Sequence, residues 1–200
     1  MDNRPLLIES ICIKHQKIQL LDYHNQRAND ARFELFNIED LLDFEKVVDL
    51  NEAKEAIVKC RIVYGKKIES IIYQPYELRP VNSLTIVDID EQWNYNYKFL
   101  NRTQLDFYFS KRGDADDILM VQNGYVKDSY YGNLAFLKYG KWYTPEQPLL
   151  KGTRRASLIE KELIIEAQIL KEEIQSFESV SIFNAMIEFG QIEIAIDLVE

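Results

Sequence analysis

The chain has 200 residues, 46% of them hydrophobic and 28% charged, with 12 Tyr, 10 Phe and only 7 Gly and 5 Pro. That is enough to bury a sizeable core in one or two lobes, and it argues against a disordered or low-complexity chain. The net charge of −9 argues against sequence-independent nucleic-acid binding or a polybasic membrane-surface role.

No apolar run is long enough for a transmembrane helix. The start, MDNRPLLIESICIK, lacks the basic and apolar regions of a signal peptide, so a cytoplasmic location is expected. Cys12 and Cys60 are then expected as reduced, buried thiols. With His15 and His24 the only histidines, no metal-ligand spacing exists, and no metal is expected.

In chain order, Leu7–Lys14 and Lys17–Leu21 read as strands around His15-Gln16. Asp22 can cap a helix running to Phe36, and a second helix is expected over Ile38–Phe44. Ala56–Tyr64 and Lys67–Tyr76 read as a hairpin around Gly65, with Pro75 and Pro80 as breaks. Ser83–Asp88 reads as a buried strand, followed by a polar, aromatic connection over Asp90–Tyr97. A helix is expected from Asn101 to Lys111, closed at Gly113.

Asp117–Gln122 and Tyr125–Lys127 flank Asn123-Gly124, the strongest hairpin signal in the chain. Leu134–Tyr139 and Lys141–Tyr143 pair around Gly140, and Thr153 can cap a helix over Arg154–Lys161. Leu163–Ala167 and Val180–Phe183 read as strands, Lys171–Phe177 as a short helix and the tail after Gly190 as helical. Runs of strands with few helices predict an α+β fold with mostly antiparallel sheets. The expected division is a small lobe over residues 1–82, a connection over 83–97 and a larger lobe over 98–200.

Three segments can carry chemistry. In Tyr97-Lys98-Phe99-Leu100-Asn101-Arg102 a lysine sits between aromatics, where its neutral, nucleophilic form is more accessible, although a snorkelling surface lysine has the same pattern. Val126 to Leu134 places Asp128 and Asn133 at strand ends, where turn chemistry alone also favours them. Lys151-Gly152-Thr153-Arg154-Arg155 opens a helix whose free N–H groups suit a phosphate, or it is an ordinary capped helix.

Taken in this order, the segments resemble the class IV aminotransferases, from about Glu9 to Met186. YKFLNR resembles the Lys-x-Leu-Asn-Arg motif of the 4-amino-4-deoxychorismate lyases. VKDSYYGNLAF, YTPEQPLLKGTRRASL, IFNAM and DYHNQR match further family segments. The resemblance implies a two-lobed D-amino-acid aminotransferase-like fold, shortened at its N-terminus relative to the family, and pyridoxal 5'-phosphate as cofactor. It implies Lys98 as the lysine that bonds the cofactor aldehyde and moves protons at the substrate α-carbon. It implies Asp128 as the carboxylate for the pyridine nitrogen, where the family usually carries glutamate, with Asn133 beside it. Arg27, Thr153, Arg154, Ala185 and Met186 fall on phosphate-binding positions.

Ser10 falls where a lyase hydroxyl can relay a proton, or it is a plain strand hydroxyl. Lys59 and Arg61 fall where a substrate carboxylate is met, or on a solvated strand edge. The resemblance implies a homodimer acting on a small anionic, amino-acid-like substrate. It leaves three activities open: the lyase, a branched-chain or D-amino-acid aminotransferase, and a cofactor-free relative.

Overall fold

The computed structural model describes residues 5–200. They fold as a mixed α+β chain in two compact units, one comprising residues up to Leu78 with Tyr97–Asn101, the other Arg79–Asn96 with Arg102–Glu200.

In the first unit, β1 (Leu7–Lys14), β2 (Lys17–Ile18), β3 (Ile57–Tyr64) and β4 (Ile68–Pro75) form an antiparallel sheet in the order β2-β1-β3-β4. The helix α1 (Leu21–Phe36) packs on one face. Strand alternation decides which residues meet it. Leu7, Ile11 and Ile13 of β1 and Val58, Cys60, Ile62 and Tyr64 of β3 form a core with Ala28, Ala31 and Phe36. The intervening register pairs Ser10 with Arg61 and Cys12 with Lys59. Those four side chains therefore share the other face. The two cysteines form no disulfide and are buried on opposite faces of the sheet, and burial pushes Cys60 up to about 11.

Several local expectations need correction. Asp22 is not the cap of α1; Leu20 holds that position in a left-handed conformation (φ 56°), and Asp22 sits in the first turn, where its charge suits the helix dipole. Helix α1 ends at Asn37, also left-handed, whose N–H bonds the Phe33 carbonyl at 2.9 Å. No helix covers residues 38–44. Two single 3-10 turns, Phe44–Lys46 and Leu50–Glu52, follow Asp43 and Asp49, whose carboxylates accept from the N–H two residues on. Pro75 ends β4, in keeping with the expected break.

Residues 97–101 group with the first unit because their main chain joins β1. Ile8 N donates to the Lys98 carbonyl at 2.9 Å, Leu100 N donates to the Leu6 carbonyl at 2.8 Å, and Phe99 bridges Leu7.

In the second unit, β5 (Leu84–Asp88), β6 (Asp117–Gln122) and β7 (Tyr125–Ser129) make a three-stranded sheet, with β5 and β6 parallel. Asn123 and Gly124, with φ of 53° and 80°, form the expected turn between β6 and β7. The helix α2 spans Thr103–Phe109 and continues as a 3-10 turn over Ser110–Arg112.

A five-stranded sheet has the order β10-β9-β8-β11-β12, formed by β8 (Asn133–Lys138), β9 (Lys141–Pro145), β10 (Ile165–Ala167), β11 (Ser179–Phe183) and β12 (Glu193–Ala195). Only its β9–β10 pair is parallel. The helix α3 (Thr153–Glu160) places Leu158 on Ala135, Ile164 and Phe183. Thr153 is its first residue rather than its cap, which is Gly152. The tail is not helical: Glu193–Ala195 extends the sheet by pairing with β11, and only Ile196–Leu198 makes a 3-10 turn.

Candidate functional site

The sequence-predicted residues fall into two groups, one in each unit. In the first, Glu9 is fully buried on the core face of β1. It accepts two hydrogen bonds from Arg27 of α1, Nε to Oε1 at 2.9 Å and Nη2 to Oε2 at 2.5 Å, and contacts His24 Nδ1 at 2.5 Å. Burial opposes ionisation of Glu9, but Arg27 and then His24 outweigh it and hold the carboxyl down to about 2. Burial lowers the pKa of His24 against the opposing pull of Glu9, and its Nε2 is buried without a hydrogen-bond partner. Lys98, half-buried beside β1, is near enough for its charge to add to the lowering of His24. The structure thus gathers Arg27 and Lys98 around a Glu9–His24 pair. Ser10, Lys59 and Arg61 lie on the other face of the same sheet.

This pair carries a pH signature. Glu9 has a depressed pKa, so its stabilising contribution, about 3 kcal/mol from the shift, is complete above its unfolded value near 4.5 and is lost as pH falls toward 2. The lowered pKa of His24 adds a loss in the same direction as pH falls below its unfolded value near 6.5. Thermal melts of the wild type are expected to fall steeply between pH 6 and 2.5. Glu9→Gln is expected to be less stable at pH 7 and to show a shallower acid limb; equal limbs would contradict the assignment.

In the second unit, β7, β8, the start of α3 and the turn after β11 converge. Asp128 on β7 is 5% exposed. Its Oδ1 accepts from Asn133 Nδ2 at 2.8 Å and its Oδ2 from the Leu150 N–H at 2.9 Å. Burial nevertheless dominates and raises its pKa to about 6. Asn133 Nδ2 also donates to the Leu150 carbonyl at 2.8 Å, so one amide ties β7, β8 and the approach to α3 together. Gly152 lies against that amide, and a Cβ there would meet Asn133 Oδ1 at 2.0 Å. Thr153, 3% exposed, has a buried hydroxyl with no partner at the helix start.

Arg154 donates through Nε to the Asn184 carbonyl at 2.7 Å and through Nη2 to the Ala185 carbonyl at 3.2 Å. Asn184 Oδ1 in turn accepts from the N–H of Met186 and Ile187 at 2.8 and 2.9 Å. The start of α3 and the 184–187 turn therefore form one hydrogen-bonded cup carrying Thr153, Arg154, Ala185 and Met186.

This geometry coincides with clear likeness to known proteins. A class IV aminotransferase family profile matches residues 6–194. The chain belongs to the class IV aminotransferase family. A curated but uncharacterized protein of Haemophilus influenzae is 32% identical over 188 residues, 90% of this chain and 97% of its own. The crystal structure of a proposed 4-amino-4-deoxychorismate lyase from Haemophilus somnus superposes with a TM-score of 0.83 at 30% identity, covering 94% of this chain and 98% of that one. A hypothetical aminotransferase from Mycobacterium tuberculosis in its PLP-bound form shares the fold, with a TM-score of 0.76 at 15% identity over 94% of this chain and 80% of that one. The class IV aminotransferases are pyridoxal-phosphate-dependent aminotransferases and lyases, and this member is an enzyme of that kind.

Four residues were given no role in the sequence reading. Glu9 was invisible because its pairing with Arg27 joins a strand to a helix, whereas His24 stood in the DYHNQR segment without a role. Asn184 had a usable signal, since Asn before a short polar-to-apolar break favours an Asx turn. Asp117, buried and pushed up to about 6, also went unnoticed; it accepts from the Tyr130 N–H at 3.3 Å and holds the loop after Asp128.

Proposed function

We propose that this protein is a pyridoxal-phosphate-dependent 4-amino-4-deoxychorismate lyase, releasing pyruvate and 4-aminobenzoate for folate synthesis as a cytoplasmic homodimer. The observation that carries the cofactor is the α3 cup, where a buried hydroxyl without a partner stands beside a glycine that admits no side chain. A phosphate fits that donor set: Thr153 Oγ1 can donate to it, and the helix start adds N–H groups and a positive dipole end. The buried Asp128 carboxylate fits a protonated ring nitrogen, because a cation beside it offsets the cost of its burial. The choice of lyase rests on the KFLNR and IFNAM segments and on the similarity to the proposed lyase of Haemophilus somnus.

When bound, the cofactor supplies an electron sink for charge that develops at the substrate α-carbon. The chain supplies the rest. Lys98 would hold the cofactor through Nζ and, once released by the incoming substrate amine, would take and return the substrate α-proton. Asn133 and the Leu150 N–H hold the Asp128 carboxylate in place. Arg154 holds the 184–185 turn by its carbonyls, where it would border a bound phosphate. The resemblance also assigns Arg27 to the phosphate, a role that falls to N–H groups other than those it gives to Glu9.

Ser10 relays a proton to the leaving fragment, and Lys59 and Arg61 on the same sheet face attract the substrate carboxylates. In a chain of net charge −9 these cations create the local positive field that an anionic substrate requires.

A coupled assay tests the proposal. Release of 4-aminobenzoate and pyruvate from 4-amino-4-deoxychorismate is expected without any keto-acid acceptor. Strict dependence on an acceptor would identify an aminotransferase instead. Lys98→Ala is expected to lower turnover by about 10³–10⁴-fold and to abolish the visible absorption band that borohydride bleaches. A protein with no such band after cofactor addition would refute both enzyme activities.

A further inference from the structure

Glu9 stands where a hydrophobic residue belongs. Strand alternation puts it on the core face of β1 between Leu7 and Ile11, both fully buried, and its register partner on β3 is Ile62. His24 of α1, which contacts its Oε2 at 2.5 Å, is as fully enclosed as Glu9 itself. Tyr64 of β3, 1% exposed, is close enough to feel the charges of both Glu9 and Arg27.

Stability alone does not account for this group. Replacing a buried ion pair by well-packed apolar side chains is often neutral or stabilising. The buried, unpartnered Nε2 of His24 is a further cost to the folded chain. A core selected only for packing would hold apolar residues at both positions.

The bonds converge on Arg27. Glu9 accepts from Nε and Nη2, the two donors on one edge of the guanidinium. A planar group held at two points keeps one orientation, with its opposite edge facing away from the carboxylate. The His24 contact steadies the carboxylate in turn. The group runs from the fully buried side chains of His24 and Glu9 to that of Arg27, which is 18% exposed. A loose arginine loses rotamer freedom when it meets an anion, at a cost of roughly two- to tenfold in affinity. Glu9 has ordered Arg27 beforehand.

We propose that Glu9 is a positioning residue that locks Arg27 for the cofactor phosphate, with His24 steadying the carboxylate, a role that rests on the assignment of Arg27 to that phosphate. Charge alone predicts the opposite effect. Without the Glu9 carboxylate beside it, Arg27 would attract a phosphate more strongly. The sign of the change therefore decides between orientation and charge.

Equilibrium dialysis of the cofactor-stripped, full-length protein against pyridoxal 5'-phosphate and against pyridoxal tests the proposal. The ratio of the two dissociation constants measures the preference for the phosphorylated form. Glu9→Gln and Glu9→Leu, the second suited to an apolar core position, are each expected to lower this preference about fivefold. The constant for pyridoxal is expected to stay within twofold. Ile11→Ala, which opens a cavity in the same core face without removing any of the three partners, is expected to leave the preference unchanged. An unchanged or raised preference in the folded Glu9 variants would overturn the proposal, as would a parallel weakening of both ligands. An equal fall in Ile11→Ala would also overturn it, by tracing the effect to a loosened core. Arg27→Met is expected to lower the preference about 10- to 100-fold. No change there would overturn the assignment of Arg27 to the phosphate, and the role of Glu9 with it. A fall in Arg27→Met alone would overturn only the role of Glu9.

Discussion

Replacement of Gly152 by alanine is expected to unseat Asn133 and, through it, the Asp128 carboxylate. The added methyl would lie 2.0 Å from Asn133 Oδ1, far inside contact distance, and that side chain cannot swing away without abandoning Asp128 and the Leu150 carbonyl. The backbone conformation of Gly152 (φ −72°, ψ 147°) is open to any residue, so the effect is purely one of space. Overpacking of this kind costs about 2–3 kcal/mol, a fall in Tm that calorimetry resolves easily. Displacing the carboxylate and the helix start by even about 1 Å is expected to lower turnover by about 100-fold. Alanine tolerated with unchanged Tm and cofactor affinity would show that the cup is not built as described.

The second large effect is expected at Asp128. Its pKa is raised, so in the cofactor-free protein the ionised form is the costly one. The penalty is absent below the unfolded value near 3.8, grows as pH rises and is complete above about 6, at roughly 3 kcal/mol. A cation seated against the carboxylate removes that penalty. The stabilisation by pyridoxal phosphate, taken as the Tm difference with and without it, is therefore expected to increase between pH 5 and 7.5. Asp128→Asn should flatten this dependence and lower turnover by about 10²–10³-fold, since an amide cannot supply the charge. Asp128→Glu restores the charge with one more methylene in a buried site; it is expected to retain more activity than Asn while lowering Tm. If Asn and Asp behave alike across the pH range, the carboxylate does not meet the cofactor.

The parts of this molecule that were legible in its sequence are those decided by neighbouring residues. Asn123-Gly124 demanded a turn with two positive φ angles, and the strands on either side followed. The β8–β9 hairpin around Gly140 was equally local. The errors lie where distant partners decide. Residues 38–44 have helical composition, but the Asp43 and Asp49 side chains capture nearby N–H groups and close single turns instead. The tail after Gly190 has a helical pattern, yet an open edge of β11 recruits Glu193–Ala195 as a strand. The same holds for the geometry of the candidate site. Asp128, Asn133 and Thr153 sit in local motifs that could be read directly, whereas the bond from Arg27 to Glu9 spans 18 residues and had no signature in the chain.

The link from Arg154 to the 184–185 turn bears on how freely this chain can drift. Both acceptors are main-chain carbonyls, which every amino acid possesses. The side chains at 184 and 185 are therefore not constrained by this contact, and the burden of making it falls on position 154. A lysine there retains the charge but has a single donor group, and cannot reproduce a planar fork that reaches two carbonyls at once. Mutational tolerance across this junction is thus expected to be lopsided, permissive at 185 and strict at 154 and at 184, whose amide oxygen separately holds the Met186 and Ile187 N–H groups.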